Sequence, residues 1–144
     1  KYQYQNSLCS ELSKKSNSIH LLQNEDYDII PYYLSADMLI SDISSTLFEY
    51  LPMDKPIIQA QCYNFKFKHR IFKKRFWKKM DIDRQDNVDF AYQIVEADDI
   101  LGMVYYAMDN HDEMSTKRKE ATEHYLYKVD GNASSRWIDA IEAY

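Results

Sequence analysis

The segment YYLSADMLISDISSTLFEYLPMDKPII, which covers residues 32–58, decides the fold of this chain. The short apolar run Met38–Ser41 predicts a buried strand that ends at Asp42. A polar turn follows, and the sequence from Ser45 to about Met53 then predicts a helix, which Pro52 should end or kink late in its course. Pro56–Gln59 predicts the next buried strand. The segment therefore has the order strand, turn, helix, strand.

The same alternation continues on both sides of this segment. Further predicted strands are Ser18–Gln23 and Tyr92–Glu96; the predicted helices are Ser7–Lys15, Asp26–Ser35, Asn64–Lys79, Asp98–Asp109 with Asp98 or Asp99 as N-cap, about Asp112–Lys128 with Gly131 stopping it, and Ala133–Ala143. Strands that alternate with helices at these lengths predict an α/β fold, here a Rossmann-like parallel sheet with helices on both faces. In such sheets ligands bind at the carboxyl ends of the strands.

The composition predicts one globular domain. The chain has 144 residues, of which 45% are apolar, and it shows no repeat or linker. No window approaches a membrane-spanning length of apolar residues. The chain starts at Lys1 without a leader sequence, and we expect it to be the C-terminal part of a longer protein. Cys9 and Cys62 lack a metal-site spacing and are interpreted as reduced thiols, and His20, inside a predicted strand, as a structural histidine.

The charge distribution is uneven. The net charge is −5, yet the fourteen residues from Lys66 to Lys79 include eight basic ones. These are Lys66, Lys68, Arg70, Lys73, Lys74, Arg75, Lys78 and Lys79. Aromatic residues interleave with them, so this basic block could be a solvated helix with aromatic residues inward, an anionic-membrane surface, a site for a polyphosphate acceptor, or a single-strand nucleic-acid site. The acidic remainder of the chain disfavours nucleic acid.

Glycine is too scarce for the usual phosphate loops. The two glycines, Gly102 and Gly131, cannot form a Walker loop or a GxGxxG turn. Three hydroxyl residues, Ser44, Ser45 and Thr46, instead stand where a helix is predicted to begin, and a helix N-terminus attracts anions. The sequence therefore predicts a phosphate site built from hydroxyl groups.

Two alternatives compete with that phosphate site. Thr46 and Glu49 fit the S/T-x-x-E capping box, in which the two side chains satisfy each other's backbone amides, and the local sequence does not decide between capping and phosphate binding. A phosphoacceptor receiver domain would use Asp42 and the Lys55-Pro56 dipeptide, but Lys55 follows Asp42 too closely for two intervening strand–helix units, and the acidic pair that would hold Mg²⁺ is missing.

The motifs of this chain resemble those of the CDP-glycerol:poly(glycerophosphate) glycerophosphotransferases. The resemblance rests on YYLSADMLISDISSTLFEY at Tyr32–Tyr50, DKPII at Asp54–Ile58 and DGNASSR at Asp130–Arg136. It implies an enzyme with two Rossmann-like domains of the glycosyltransferase-B type, of which this chain, residues 1–144, is the donor-binding one. The enzyme would transfer glycerol phosphate, or a related polyol phosphate, from a CDP-linked donor to a cell-surface polymer, as in teichoic acid synthesis.

The resemblance also implies roles for individual residues. Ser44, Ser45 and Thr46 would hold the donor phosphates, and Glu49 would bind the ribose. The catalytic residues would lie in the missing N-terminal domain, and neither a cofactor nor a metal is expected. Expected partners are a nucleotide-linked donor, a polyanionic or glycan acceptor and an anionic membrane at the cytoplasmic face. The alternatives are a nucleotide-sugar glycosyltransferase, a 2-epimerase of the same fold, or a non-catalytic assembly domain.

Overall fold

A computed structural model describes residues 2–22, 28–62 and 88–143 of the chain, with side chains from residue 7 onward. The chain forms two compact units, residues 1–32 and residues 33–144. The basic block at residues 66–79 lies outside the described residues, and so does its predicted helix.

The first unit contains helix α1, Tyr2–Lys15. This confirms the predicted helix and extends it toward the N-terminus. The predicted strand Ser18–Gln23 is wrong over the described residues 18–22, which have no strand structure. His20 is exposed there and is not held in a core. A short apolar run becomes a strand only where a sheet edge is available to pair with it, and none of the described strands pairs with this one.

Helix α2, Ile30–Ser35, confirms the later part of the helix predicted for Asp26–Ser35. The Asp28 carboxylate accepts the Ile30 amide hydrogen at 3.0 Å, which satisfies one of the unpaired amides at the helix start. Pro31 lies in the first turn of the helix, where its missing amide hydrogen costs little.

The sheet of the second unit has three strands in the order β1-β2-β3, all parallel. They are β1 (Leu39–Ser41), β2 (Ile57–Ala60) and β3 (Tyr92–Ile94). Each confirms a predicted strand to within one or two residues. The register pairs Ser41 with Gln59 and Gln59 with Gln93, so the three strands end at one common edge.

Helical segments connect and follow these strands in the described part of the chain. They are α3 (Thr46–Glu49), a 3₁₀ turn (Leu51–Met53), a second 3₁₀ turn (Ala97–Asp99), α4 (Ile100–Asp109), α5 (Ser115–Leu126) and α6 (Ala133–Glu142). The helix predicted for Ser45 to about Met53 ends its α-helical part at Glu49 and continues as the first 3₁₀ turn, which contains Pro52; this confirms that the proline interrupts the helix.

Asp99 is the N-cap residue of α4, as predicted, but its side chain makes no capping bond. The Ile100 amide donates to the Ala97 carbonyl instead.

Apolar side chains cover both faces of the sheet. On one face β1 and β2 pack with α3 and α5 through Leu39, Leu47, Tyr50, Leu51, Ile57 and Ala121. On the other face β2 and β3 pack with α4 through Ile58, Tyr92, Ile94, Met103, Val104 and Ala107. The predicted Rossmann-like α/β architecture, a parallel sheet with helices on both faces, is therefore confirmed.

A buried ion pair fixes α5 to the amino end of β2. Arg118 is 1% exposed, and its Nε donates to Asp54 Oδ1 at 3.0 Å. Its Nη2 donates to the carbonyl oxygens of Asp54 at 3.0 Å and His111 at 2.9 Å. Ser115 Oγ adds a bond to Asp54 Oδ2 at 2.8 Å. Burial raises the pKa of Asp54, but the bonds from Ser115, Lys119 and Arg118 outweigh burial, and the net pKa lies below its usual 3.8.

Candidate functional site

The site lies at the edge where β1, β2 and β3 end. Ser41 is the last residue of β1, and α3 begins five residues later. Ser41 Oγ and Thr46 Oγ1 are hydrogen-bonded at 3.0 Å, and the Thr46 amide donates to Ser44 Oγ at 3.4 Å. The fold therefore brings two of the predicted phosphate-binding residues, Ser44 and Thr46, next to a third hydroxyl that the sequence did not single out, while Ser45 stands exposed at the start of α3.

The capping box does not form at this turn. Because α3 begins at Thr46, the N-cap position belongs to Ser45, whose side chain makes no capping bond. The Phe48 and Glu49 amides both donate to the Ser45 carbonyl at 3.0 Å. The Phe48 and Glu49 amides of this short helix are thus already hydrogen-bonded to a backbone carbonyl. The hydroxyl groups of the turn can still donate to an anion. The bond between Ser41 Oγ and Thr46 Oγ1 uses one of their two hydroxyl hydrogens, so the other hydrogen stays available.

Glu49 stands one turn further along, as the sequence predicted. Its side chain is exposed, and Tyr33 donates its phenol hydrogen to Oε2 at 3.3 Å. Burial of Tyr33 and the nearby Glu49 charge raise the pKa of Tyr33 to about 12, so the phenol stays a donor at neutral pH. Tyr33 also packs edge-on against Tyr50, with ring centroids 5.3 Å apart. Tyr33 therefore orients the carboxylate and leaves its other oxygen available.

A polar row crosses the sheet at this edge. Ser41, Gln59 and Gln93 are register partners, so their side chains project to the same face. Gln59 is 0% exposed; its Oε1 accepts a hydrogen from Gln61 Nε2 at 3.0 Å, while its Nε2 has no partner among the described residues. An unpaired buried amide costs about 1–3 kcal/mol. Gln59 was not predicted from the sequence, although a polar residue inside the buried strand PIIQ is the signal that could have found it.

The second motif, Asp130–Arg136, follows helix α5 along the chain. The amino end of α5 is fixed at Asp54, before β2, and near its carboxyl end Tyr125 packs against Phe48 of α3 at 4.8 Å between ring centroids. Beyond α5, Arg136 binds both carboxylate oxygens of Asp130 at 2.8 and 2.9 Å. This bond holds the pKa of Asp130 below its usual value.

A groove of about 380 Å³ opens beside this motif. It is lined by Leu126, Tyr127, Lys128, Ala133, Arg136, Trp137 and Ala140. Tyr127 has a left-handed backbone (φ 59), so the helix ends before Gly131, the predicted stop. The Lys128 ammonium lies 5.3 Å from the Tyr127 ring centroid.

The match to a family model covers nearly the whole chain. The model for CDP-Glycerol:Poly(glycerophosphate) glycerophosphotransferase matches residues 1–143. The chain belongs to this family of transferases. Neither a curated protein nor a solved structure matches the chain.

The structure also excludes the receiver-domain alternative for this chain. Lys55 precedes β2, and its Nζ donates to the carbonyl oxygens of Leu34 at 3.0 Å and Ala36 at 2.6 Å, at the amino end of the sheet. Asp42 follows β1 at the carboxyl end. The two residues therefore lie at opposite ends of their strands and cannot form one phosphoacceptor site.

Within residues 2–22, 28–62 and 88–143, no three acidic, histidine or cysteine side chains cluster as a metal would require. Among the helices of the same ranges, none has the length and apolar character that crossing a bilayer would need.

Proposed function

We propose that this chain is the donor-binding domain of a transferase that moves glycerol phosphate, or a related polyol phosphate, from a CDP-linked donor to a cell-surface polymer. The family membership supports the glycerophosphotransferase chemistry. The observation that carries the donor-binding role is the hydroxyl cluster of Ser41, Ser44 and Thr46 at the carboxyl ends of three parallel strands. Nucleotides bind at this edge in Rossmann-like sheets.

The donor diphosphate is held by hydroxyl groups in this proposal. Ser45 is exposed at the turn, and Ser44 and Thr46 are half-buried beside it, so the three residues present hydroxyls at different depths. Neutral donors stabilise the diphosphate without a fixed positive charge. This suits a nucleotide product that has to leave after each transfer.

Glu49 binds the ribose of the donor. Its carboxylate is an acceptor on the exposed side of α3, and Tyr33 fixes one of its oxygens. A carboxylate accepts hydrogen bonds from two neighbouring ribose hydroxyls, a pairing that a capping role would not require.

The complete enzyme has a second Rossmann-like domain in this proposal, in a glycosyltransferase-B arrangement. That domain supplies the catalytic base, and the protein works at the cytoplasmic face of the membrane. The basic block at residues 66–79 contacts the polyanionic acceptor or anionic lipid, each of which complements its charge.

Calorimetric titration of the 144-residue chain tests the donor specificity. We expect CDP-glycerol or CDP-ribitol to bind more tightly than UDP-N-acetylglucosamine. Tighter binding of the UDP-sugar would move the protein to a sugar-transferring activity. If the folded chain bound none of the three nucleotides, the assembly role would replace donor binding.

Single substitutions test the assigned residues. Ser45→Ala removes one hydroxyl donor and is expected to weaken CDP-glycerol binding about tenfold, the value of one hydrogen bond to a charged group. Ser7→Ala, at an exposed position of α1, is the matched control and should leave binding unchanged. Equal affinities for wild type and Ser45→Ala would remove Ser45 from the phosphate site.

Glu49→Gln keeps the size of the side chain and removes its charge. Wild type should prefer CDP to 2′-deoxy-CDP, because only CDP offers both ribose hydroxyls. The preference should shrink in Glu49→Gln. An unchanged ratio of the two dissociation constants would show that Glu49 does not contact the ribose.

A further inference from the structure

Gln59 is a fully buried polar side chain at the proposed donor edge. It is 0% exposed, and Nε2 has no hydrogen-bond partner among the residues that the structure describes. The amide oxygen is used, because Gln61 Nε2 donates to it at 3.0 Å. Turning both amide groups over would only exchange the unpaired nitrogen for an unpaired oxygen. Within the described part of the chain, one polar atom of Gln59 is therefore left for a ligand.

The position of Gln59 identifies the side on which this partner lies. Ile57, two residues earlier in β2, packs with Leu47 and Tyr50, so Gln59 projects to the face that carries α3. Its register partner in β1 is Ser41, whose hydroxyl is bonded to Thr46 at the start of α3. Neighbouring strands lie about 4.8 Å apart, so an oxygen held by the Ser41–Thr46 pair is within reach of the Gln59 amide.

The neighbouring member of the row serves as a contrast. Gln93 occupies the same register position on β3, yet its side chain is exposed, and its Nε2 donates to the Val88 carbonyl at 3.2 Å. Gln93 thus has an ordinary structural role. Gln59 is buried as deeply as the apolar core. Among the described residues, its Nε2 lacks the hydrogen bond that a buried amide nitrogen normally makes.

We propose that Gln59 is a donor-binding residue whose amide donates a hydrogen bond to a phosphoryl oxygen of the nucleotide diphosphate, an inference that rests on the donor-binding function proposed above. The phosphoryl oxygen takes a place between Gln59 and the Ser41–Thr46 hydroxyls. The half-buried Gln61 side chain, which bonds the same amide, shifts to admit it. In a site closed to bulk water, such a bond to a charged oxygen is stronger than at the surface.

The test is the substitution Gln59→Met, which keeps the length of the side chain and removes the amide. Thermal unfolding should show a midpoint close to that of wild type. The bond from the half-buried Gln61 is lost, but the cost of burying an unpaired amide nitrogen is removed with it. Calorimetry should show CDP binding weakened about tenfold or more, as expected for a lost bond to a charged acceptor. The affinity for cytidine, which has no phosphate, should stay unchanged. In ¹⁵N-labelled wild type, the side-chain amide resonance that is absent from Gln59→Met should shift when CDP is added.

Gln93→Met is the matched control, and it should lower the unfolding midpoint while leaving CDP affinity within about twofold. Unchanged CDP binding in Gln59→Met, with wild type binding normally, would overturn this inference and leave the proposed function standing. A wild-type chain that binds no CDP would overturn both. An equal loss of affinity for cytidine and CDP would move the contact to the nucleoside and overturn the phosphate assignment. Equal losses of CDP affinity in Gln59→Met and Gln93→Met would mean a general disturbance of the polar row and would overturn the specific role of Gln59.

Discussion

The buried pair of Asp54 and Arg118 provides the sharpest test of how this fold is held together. In Asp54→Asn the side chain keeps its shape, and asparagine tolerates the left-handed backbone that Asp54 adopts (φ 48). The change therefore removes the charge without straining the chain. Arg118 keeps its bonds to the carbonyl oxygens of Asp54 and His111, but it loses its counter-charge at 1% exposure.

The structure sets the size of the effect. Removing one partner of a fully buried ion pair costs about 3–5 kcal/mol, because the other charge is left uncompensated. The Asp54 side chain is 33% exposed, so water screens part of the interaction, and we expect a loss of about 2–3 kcal/mol in the free energy of unfolding. For a chain of this length each kcal/mol lowers the melting temperature by about 2–4 °C, so the midpoint should fall by about 4–12 °C.

Urea unfolding at several pH values is the assay. The pKa of Asp54 is lowered by folding, so its contribution is present above its unfolded pKa of 3.8 and is lost as the pH falls through the lower folded value. Wild type and Asp54→Asn should therefore differ by a constant amount near neutral pH and converge below pH 3.8. Asp112→Asn, at a carboxylate that is 85% exposed, is the control and should change stability by less than about 0.5 kcal/mol. A loss below about 1 kcal/mol in Asp54→Asn would refute the electrostatic role of the pair.

Two further predictions concern tyrosine ionisation and the glycines. Folding raises the pKa of Tyr33 to about 12, so its contribution to the free energy of unfolding should be complete below pH 10 and lost between pH 10 and about 12. The ultraviolet titration of Tyr33→Phe should lack one phenol that ionises near 12 in wild type. If the phenol that disappears ionises near 10 instead, the bond to Glu49 is contradicted. Gly131→Ala should lower the free energy of unfolding by about 1–2 kcal/mol, because φ is +74 there. Gly102→Ala, inside α4, should raise the free energy of unfolding by about 1 kcal/mol. Urea unfolding measures both changes, and shifts of the same sign in the two variants would refute the conformational explanation.

The strands of the second unit were predictable because their signal is local. Met38–Ser41 and Pro56–Gln59 are short apolar runs between polar turns, and both became strands of the parallel sheet. Ser18–Gln23 has the same local appearance but forms no strand over its described residues. Strand formation depends on a partner elsewhere in the chain, and a single apolar run contains no information about that partner.

The buried arginine shows a second limit of sequence reasoning. Arg118 lies in the run Lys117–Lys119 of a helix whose first six residues are all polar, and nothing local separates it from its exposed neighbours. Its partner Asp54 is 64 residues away. Only the packing of α5 against the turn before β2 reveals which of three adjacent basic residues is buried.

The hydroxyl turn was identified from the sequence, but the hydrogen bonds that its side chains make were not. The sequence pattern allowed both a capping box between Thr46 and Glu49 and a phosphate site. In the structure each of these side chains bonds instead to a residue from another element, Thr46 to Ser41 and Glu49 to Tyr33. A capping pattern describes what two side chains do when no tertiary partner competes for them. At this turn the tertiary hydrogen bonds replace the capping box.

Helix α5 is held at two places on the amino side of the sheet. Its first turns bind Asp54, just before β2, and near its carboxyl end Tyr125 packs against Phe48, whose ring also lies 5.6 Å from that of Phe90, just before β3. The helix therefore passes from the amino side of β2 toward the amino side of β3, while the hydroxyl turn follows the last residue of β1 at the opposite end of the strands. The buried Arg118 thus has a structural role. It holds α5 in place through Asp54 and His111, and neither of these residues belongs to the proposed donor site.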